Sequence, residues 1–292
     1  QTNHVIGDRK MTNDLATLEN INLDNLDETA LMALTGQGNA PATGSNNGLS
    51  RLSINYTDED DEGNTLKKGT WKLMLDGRFV FADKLKLRPF SRMYTYSHWD
   101  QEENIFISQS IQTASLGDKF PDSIGGEKCG RLPKDVEAEL KETDPRYLTS
   151  REVVCNQVVY GTVSGTAKDA QGNDVELASQ PVVAYFKKSG FRPVREALDL
   201  VTRQRKLMQK TVFEIGTKKM KTGAITFWVP TFAQVEYLDE LTEDDLGLIK
   251  KFLESIKVYN DGILEKFRDA QKASLGDIDV SLEAELLDAD AA

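Results

Sequence analysis

The chain has 292 residues, 39% of them hydrophobic, with 36 Lys/Arg against 47 Asp/Glu and a net charge of −11. That length predicts one or two domains with a sizeable core, and the lack of any run of about 18 apolar residues argues against a transmembrane helix. Two cysteines, Cys129 and Cys155, are too few for a disulfide framework, and with only two histidines the chain is poorly supplied for a zinc site.

The charge falls in three blocks. Residues 1–66 hold 3 Lys/Arg against 11 Asp/Glu, residues 67–221 hold 27 against 20, and residues 222–292 hold 6 against 16. The basic excess is densest over 184–221, with 11 Lys/Arg and 3 Asp/Glu. A partner feels local potential within about 10 Å at 0.1 M salt, so an acidic chain with a basic middle is still able to bind a polyanion.

In chain order, residues 1–48 read as an acidic N-terminal segment. Asp27 is placed to cap a short helix over 28–34 ended by Gly36, and the Gly-, Ala- and Asn-rich stretch 36–48 has linker chemistry. A β-rich domain is expected over 49–235. Alternation predicts a strand over 51–56, an acidic loop over 58–63, and a hairpin of 69–75 and 78–82 turning at Asp76-Gly77. Separate strands follow over 84–90, 93–99 and 104–109, then a looser segment over 117–144. The β-branched run 153–163 predicts a central strand, and a hairpin at 167–175 leads to a strand over 181–186. Helical periodicity spans 193–207. Strands over 208–215 and 224–229 are joined by a basic loop over 217–223. Thr242 with Glu243, Asp244 and Asp245 opens a helical extension over 236–272 whose apolar face carries Leu246, Ile249, Phe252, Leu253, Ile256, Ile263, Leu264 and Phe267. Residues 273–292 form an acidic tail with six acids and no base, interleaved with Ile278, Val280, Leu286 and Leu287. Many short strands with flanking helices predict a mainly β (α+β) fold, an OB-fold-like small barrel, with a β-sandwich as the alternative.

Single strands are held by a positive groove and by aromatic rings on which bases stack. Lys84, Lys86 and Arg88 fall on the polar phase of their strand, opposite Leu85 and Leu87, followed by Arg92, Tyr94, Tyr96 and Trp99. Tyr185 and Phe191 stand beside Lys187, Lys188 and Arg192, in a loop that lacks the spacing of a Walker motif. Arg203, Lys206 and Lys210 lie at helical spacings of three and four, and Lys218, Lys219 and Lys221 fill the basic loop. Alternation sends half of these rings inward, so the core competes with the surface for each. No Gly-x-Ser-x-Gly elbow is present, and neither a catalytic centre nor a cofactor site is expected.

This arrangement, from residue 50 onward, resembles phage-type single-stranded DNA-binding proteins with an OB-fold core, a helical C-terminal extension and an acidic tail. The segments 87–90 (Leu-Arg-Pro-Phe), 128–131 (Lys-Cys-Gly-Arg), 155–161 (Cys-Asn-Gln-Val-Val-Tyr-Gly) and 222–228 (Thr-Gly-Ala-Ile-Thr-Phe-Trp) are similar to blocks that recur in phage proteins. The resemblance implies a non-catalytic role on displaced single-stranded DNA in replication or recombination. It also implies that the tail contacts replication proteins and competes for the groove. The chain departs from zinc-containing members in lacking a Cys/His cluster, and its acidic N-terminus differs from the basic cooperative arm of others. Without a signal-peptide pattern the expected location is cytoplasmic, in a host cell if the chain is viral. No membrane partner is expected, and a homo-oligomer is compatible. The alternatives are a viral structural or assembly protein and a regulator of a host nucleic-acid enzyme.

Overall fold

Strands β1 (Ser50–Ile54), β2 (Trp71–Leu75) and β3 (Arg78–Ala82) form an antiparallel meander. The computed structural model describes residues 49–59 and 63–289, with side chains through Ser274. The β2–β3 turn is Asp76-Gly77 as expected, both at positive φ (48° and 79°), which matches the twist of the strands it joins. Strands β6 (Val154–Asp169) and β7 (Asp174–Phe186) form the next hairpin. β7 pairs in parallel with β1 from Ser50↔Val182 to Leu52↔Ala184, and β3 meets β6 at Val80↔Asp169 and Phe81↔Lys168. These junctions close five strands into a small OB-like barrel with flanking helices, and the strands follow one another around the ring in chain order.

Alternation decides what fills the barrel. Leu52, Trp71, Leu73, Val80, Leu177 and Val182 are buried inside it, each such side chain contributing about 1.5–3 kcal/mol through apolar area removed from water. Their sequence neighbours Arg51, Ser53, Lys72, Met74 and Phe79 therefore point outward.

Strand β4 (Leu85–Asp100) replaces the two strands expected over 84–90 and 93–99. It pairs continuously with β6 from Lys86↔Ser164 to Ser97↔Val154, with a register shift between Pro89 and Ser91. Pro89 has no amide to donate, so the ladder bulges there instead of ending. Strand β5 (Ile105–Gln109) pairs with the far end of β4, and β8 (Thr211–Thr222) with its near end at Leu85–Leu87. The basic loop expected over 217–223 is in fact strand: β8 and β9 (Ile225–Tyr237) stay paired through Thr222↔Ile225, leaving only Gly223-Ala224 as the turn.

The segment 117–144 is organised by Asp122. Its buried carboxylate accepts from the amides of Gly126 (2.9 Å), Cys129 (2.8 Å) and Ile124 (3.2 Å). Helix α1 (Lys134–Glu139) follows, then α2 (Pro145–Glu152), N-capped by Asp144. Helix α3 (Phe191–Arg203) ends earlier than its periodicity suggested. Arg205 takes φ 54°, which an α-helix does not tolerate. Lys206 and Lys210 consequently leave the helix and sit about the Tyr237 ring at 5.0 and 5.9 Å from its centroid, so the proposed Arg203, Lys206 and Lys210 helix face does not form.

Helix α4 (Glu243–Ala289) opens on a reciprocal cap in which the Asp245 amide donates to the Thr242 hydroxyl and the Thr242 amide to the Asp245 carboxylate. Ile249, Phe252, Ile256 and Ile263 recur at helical spacing and are buried. Phe252 packs against Phe90 and Tyr160 at 5.7 and 5.9 Å between ring centroids. Asn260, fully buried, accepts from the Gln112 amide (2.7 Å) and donates to its carbonyl (2.8 Å), which fixes the helix along the sheet. The helix continues through much of the expected tail. The apolar tail positions Ile278, Val280, Leu286 and Leu287, the helix expected over 28–34 and the linker 36–48 lie outside what is described for side chains or backbone. No helix among the described residues is long and apolar enough to cross a membrane.

Candidate nucleic-acid interface

The parallel β1–β7 pair places Arg51 beside Val183 and Tyr185 on the outer face of the barrel. The Arg51 guanidinium carbon lies 5.0 Å from the centre of the Tyr185 ring, within cation–π range. Lys187 and Lys188 continue directly from the end of β7. Desolvation in the groove wall, then the charges of Lys188 and Arg51, hold the Lys187 ammonium below the ordinary lysine value. Among the described residues no acid forms an ion pair with Arg51, Lys187 or Lys188.

Two grooves meet at this cluster. One, of about 390 Å³, runs across Asn156 and Ser97 to the exposed rings of Trp99 and Phe106, which lie 6.2 Å apart. The other, of about 230 Å³, runs past Ser189 and Gly190 to Tyr56 and Trp228, packed edge to face at 5.8 Å. Both are lined by Arg51, Tyr185 and Lys187, and neither is lined by any Asp or Glu, in a chain with 47 acids. The neighbouring outer cavity by Lys72 and Phe79 differs in that Glu59 and Asp169 line it.

Trp228 is held in place by the backbone beneath it. Gly69 takes φ 83°, and a Cβ there would collide with the indole. The Thr217 hydroxyl donates to the Gly69 carbonyl, and the Tyr56 hydroxyl to the Trp228 carbonyl (3.3 Å). These contacts seat one face of the β8–β9 hairpin against the β1–β2 loop.

The residues expected at an interface divide sharply. Tyr185 and Lys187 line both grooves, Lys188 stands beside Lys187 close enough to act on its charge without lining either, and Trp99 is 45% exposed at one end. Lys218, Lys219 and Lys221 are exposed on the hairpin, with the Lys219 ammonium 6.0 Å from the Trp228 ring centre. Lys84, Lys86 and Arg88 do not act as a set, because two of the three are held by acids. Lys84 pairs with Glu214 (2.7 Å), and Arg88 grips both oxygens of Asp245 (2.7 Å each), leaving Lys86 exposed. Arg92 is buried against Asp199 (2.6 Å), and Arg192 pairs with Glu196 (2.7 Å). Tyr94 is buried against Phe191, 6.1 Å away, and Tyr96 stands edge-on to Phe120 at 4.9 Å, so these rings are packing. Arg203 is exposed away from both grooves.

Arg51, Tyr56, Phe106, Asn156 and Trp228 were not expected at a site. Arg51 does fall on the polar phase of the alternation in β1, the one local signal that exposed it. Its juxtaposition with Tyr185 depends on a parallel pairing of strands more than 130 residues apart in sequence.

Elsewhere, burial first opposes ionisation of Asp245, but Arg88 and the Thr242 amide overcome it and hold its carboxyl below the ordinary value. Burial pushes the Cys129 thiol up to about 12 and that of Cys155 to about 11, so both are protonated at neutral pH. Among the described residues, no three His, Cys, Asp or Glu side chains come together as a group able to hold a metal ion. No protein-family model, curated protein or solved structure matches the chain.

Proposed function

We propose that the chain is a non-catalytic protein that binds single-stranded DNA during replication or recombination. The strand lies on the outer face of the barrel, from Trp99 and Phe106, over Tyr185, to Tyr56 and Trp228. The observation that carries this reading is the acid-free track itself, with rings on its walls and unpaired cations at its centre. The rings need open base faces, which a duplex conceals, and Arg51, Lys187 and Lys188 meet the backbone phosphates. Lys219 and Lys221 extend the positive field along the hairpin. The acidic residues after Ala273 compete for these cations and recruit a replication partner.

The test is a salt titration of binding to single-stranded DNA, duplex DNA and RNA of equal length. Single-stranded DNA should bind tightest, with log K falling linearly against log salt as counterions are released. Truncation after Lys272 should tighten binding, more at low salt than at high salt. Equal affinity for the duplex, or no binding at low salt, would hand the fold to the alternative role of a viral assembly protein.

A further inference from the structure

The two faces of the β8–β9 hairpin have different fates. Strand alternation puts Trp228 and Pro230 on the face turned to the barrel, where Trp228 overlies Gly69 and Pro230 approaches Gly190. The cross-strand partners Met220↔Phe227 and Thr222↔Ile225 lie on the opposite face, where Met220 is 40% and Ile225 70% exposed. Lys218, opposite Val229, is exposed on this apolar face, and Lys221, opposite Thr226, is exposed on the other face beside the turn; among the described residues no acid pairs with either.

A second projecting hairpin has the opposite charge. In the β4–β5 turn the Asp100 carboxylate accepts the amides of Glu102 (2.8 Å) and Glu103 (2.9 Å). That fixes the turn and leaves the carboxylates of Glu102 and Glu103 exposed, with no cation partner among the described residues. Ile105, 50% exposed, stands on the face of β5 opposite Phe106, away from the nucleic-acid groove, and Ile107, 36% exposed, lies at the register shift between Phe106 and Ser108.

The two hairpins point away from each other. β8 runs antiparallel to β4, leaves it at Leu85↔Ile215 and continues to Thr222, whereas β5 pairs with the other end of β4 at Ser97–Asp100. The pairings at Leu87 and Ser97 are about 33 Å apart along the strand at ~3.3 Å per residue.

We infer that copies of this chain associate head to tail, the basic apolar hairpin of one docking on the acidic apolar β4–β5 turn of the next. Apolar contact supplies the attraction and opposite charges set the pairing. Because donor and acceptor surfaces lie at opposite ends of β4, each contact leaves one of each free, and the association builds rows rather than closed dimers. The inference does not depend on nucleic acid.

Sedimentation of the nucleic-acid-free full chain tests it. The average mass should rise with protein concentration beyond a dimer, more at about 50 mM than at about 500 mM salt. Two charge-reversed variants, Lys218→Glu with Lys221→Glu and Glu102→Lys with Glu103→Lys, should each remain monomeric. An equimolar mixture should associate again, because the hairpin of each then matches the turn of the other. A wild-type chain that stays monomeric at low salt, an association that stops at a dimer, variants that associate as the wild type does, or a mixture that stays monomeric would each overturn the inference.

Discussion

Asp245 joins two parts of the molecule with one carboxylate. It accepts from the Thr242 amide at the start of α4 and from both arms of the Arg88 guanidinium on β4. The pair is largely buried, at 17% and 8% side-chain exposure, so removing the negative charge strands a guanidinium away from water. Asp245→Asn should cost about 3 kcal/mol. Because folding lowers the Asp245 pKa, its stabilisation is full above the ordinary value of 3.8 and is lost as the pH falls through the lower folded value. In urea denaturation, the gap between wild type and variant should be wide at pH 7 and should narrow only as the pH is taken below the ordinary value of 3.8. A gap that stays the same size however far the pH is lowered, while both proteins remain folded, would show that the ion pair is not its source. Local sequence could not reveal this pair, since Arg88 and its partner are 157 residues apart. Read alone, Arg88 looked like a cation facing solvent beside Lys86. The same blindness applied to Arg92, whose partner Asp199 lies on a helix that packs over the sheet.

At the scale of elements, hydrophobic period carried most of the legible information. The β2–β3 hairpin, its Asp76-Gly77 turn and the apolar face of α4 all follow from local pattern, and the structure has them. The misjudged elements are those where a local breaker is outweighed by tertiary pairing. Local pattern divides 84–99 into two strands, 84–90 and 93–99, but the interruption is absorbed as a bulge at Pro89, because β6 supplies partners on both sides of it. The lysine-rich 217–222 looked like a loop, yet cross-strand pairing with 225–230 keeps it extended. That hairpin is seated at Gly69, where the left-handed backbone and the lack of a side chain admit the indole of Trp228. Gly69→Ala should cost about 1–2 kcal/mol from backbone strain alone and should lift the hairpin. In a Trp99→Phe background, with Trp71 buried, acrylamide quenching of the remaining fluorescence should rise. Unchanged quenching would show that Trp228 does not rest on this glycine.

For the whole molecule, the charge blocks gave the sign of the middle region but not the place where its charge is available. Most cations that the sequence offered along 84–92 and on α3 are neutralised by acids: Glu214, Asp199 and Asp245 reach Lys84, Arg92 and Arg88 from other elements, and Glu196 reaches Arg192 from the next turn of the same helix. Beside the exposed lysines of the β8–β9 hairpin, a cluster of cations without acid partners among the described residues stands where β1 and β7 close the barrel, at Arg51, Lys187 and Lys188. The closure of the ring therefore selects the candidate site, and a long-range parallel pairing is what local periodicity conveys least. The proposed single-strand role rests on those three cations acting together on phosphates. The most direct measurement is the slope of log K against log salt for single-stranded DNA, compared between the wild type and the triple variant Arg51→Ala, Lys187→Ala, Lys188→Ala. Every phosphate that the variant no longer neutralises should reduce the slope by about 0.7, so the triple variant should be shallower by about 2. An unchanged slope, with the variant still folded, would contradict the placement of the strand on this face.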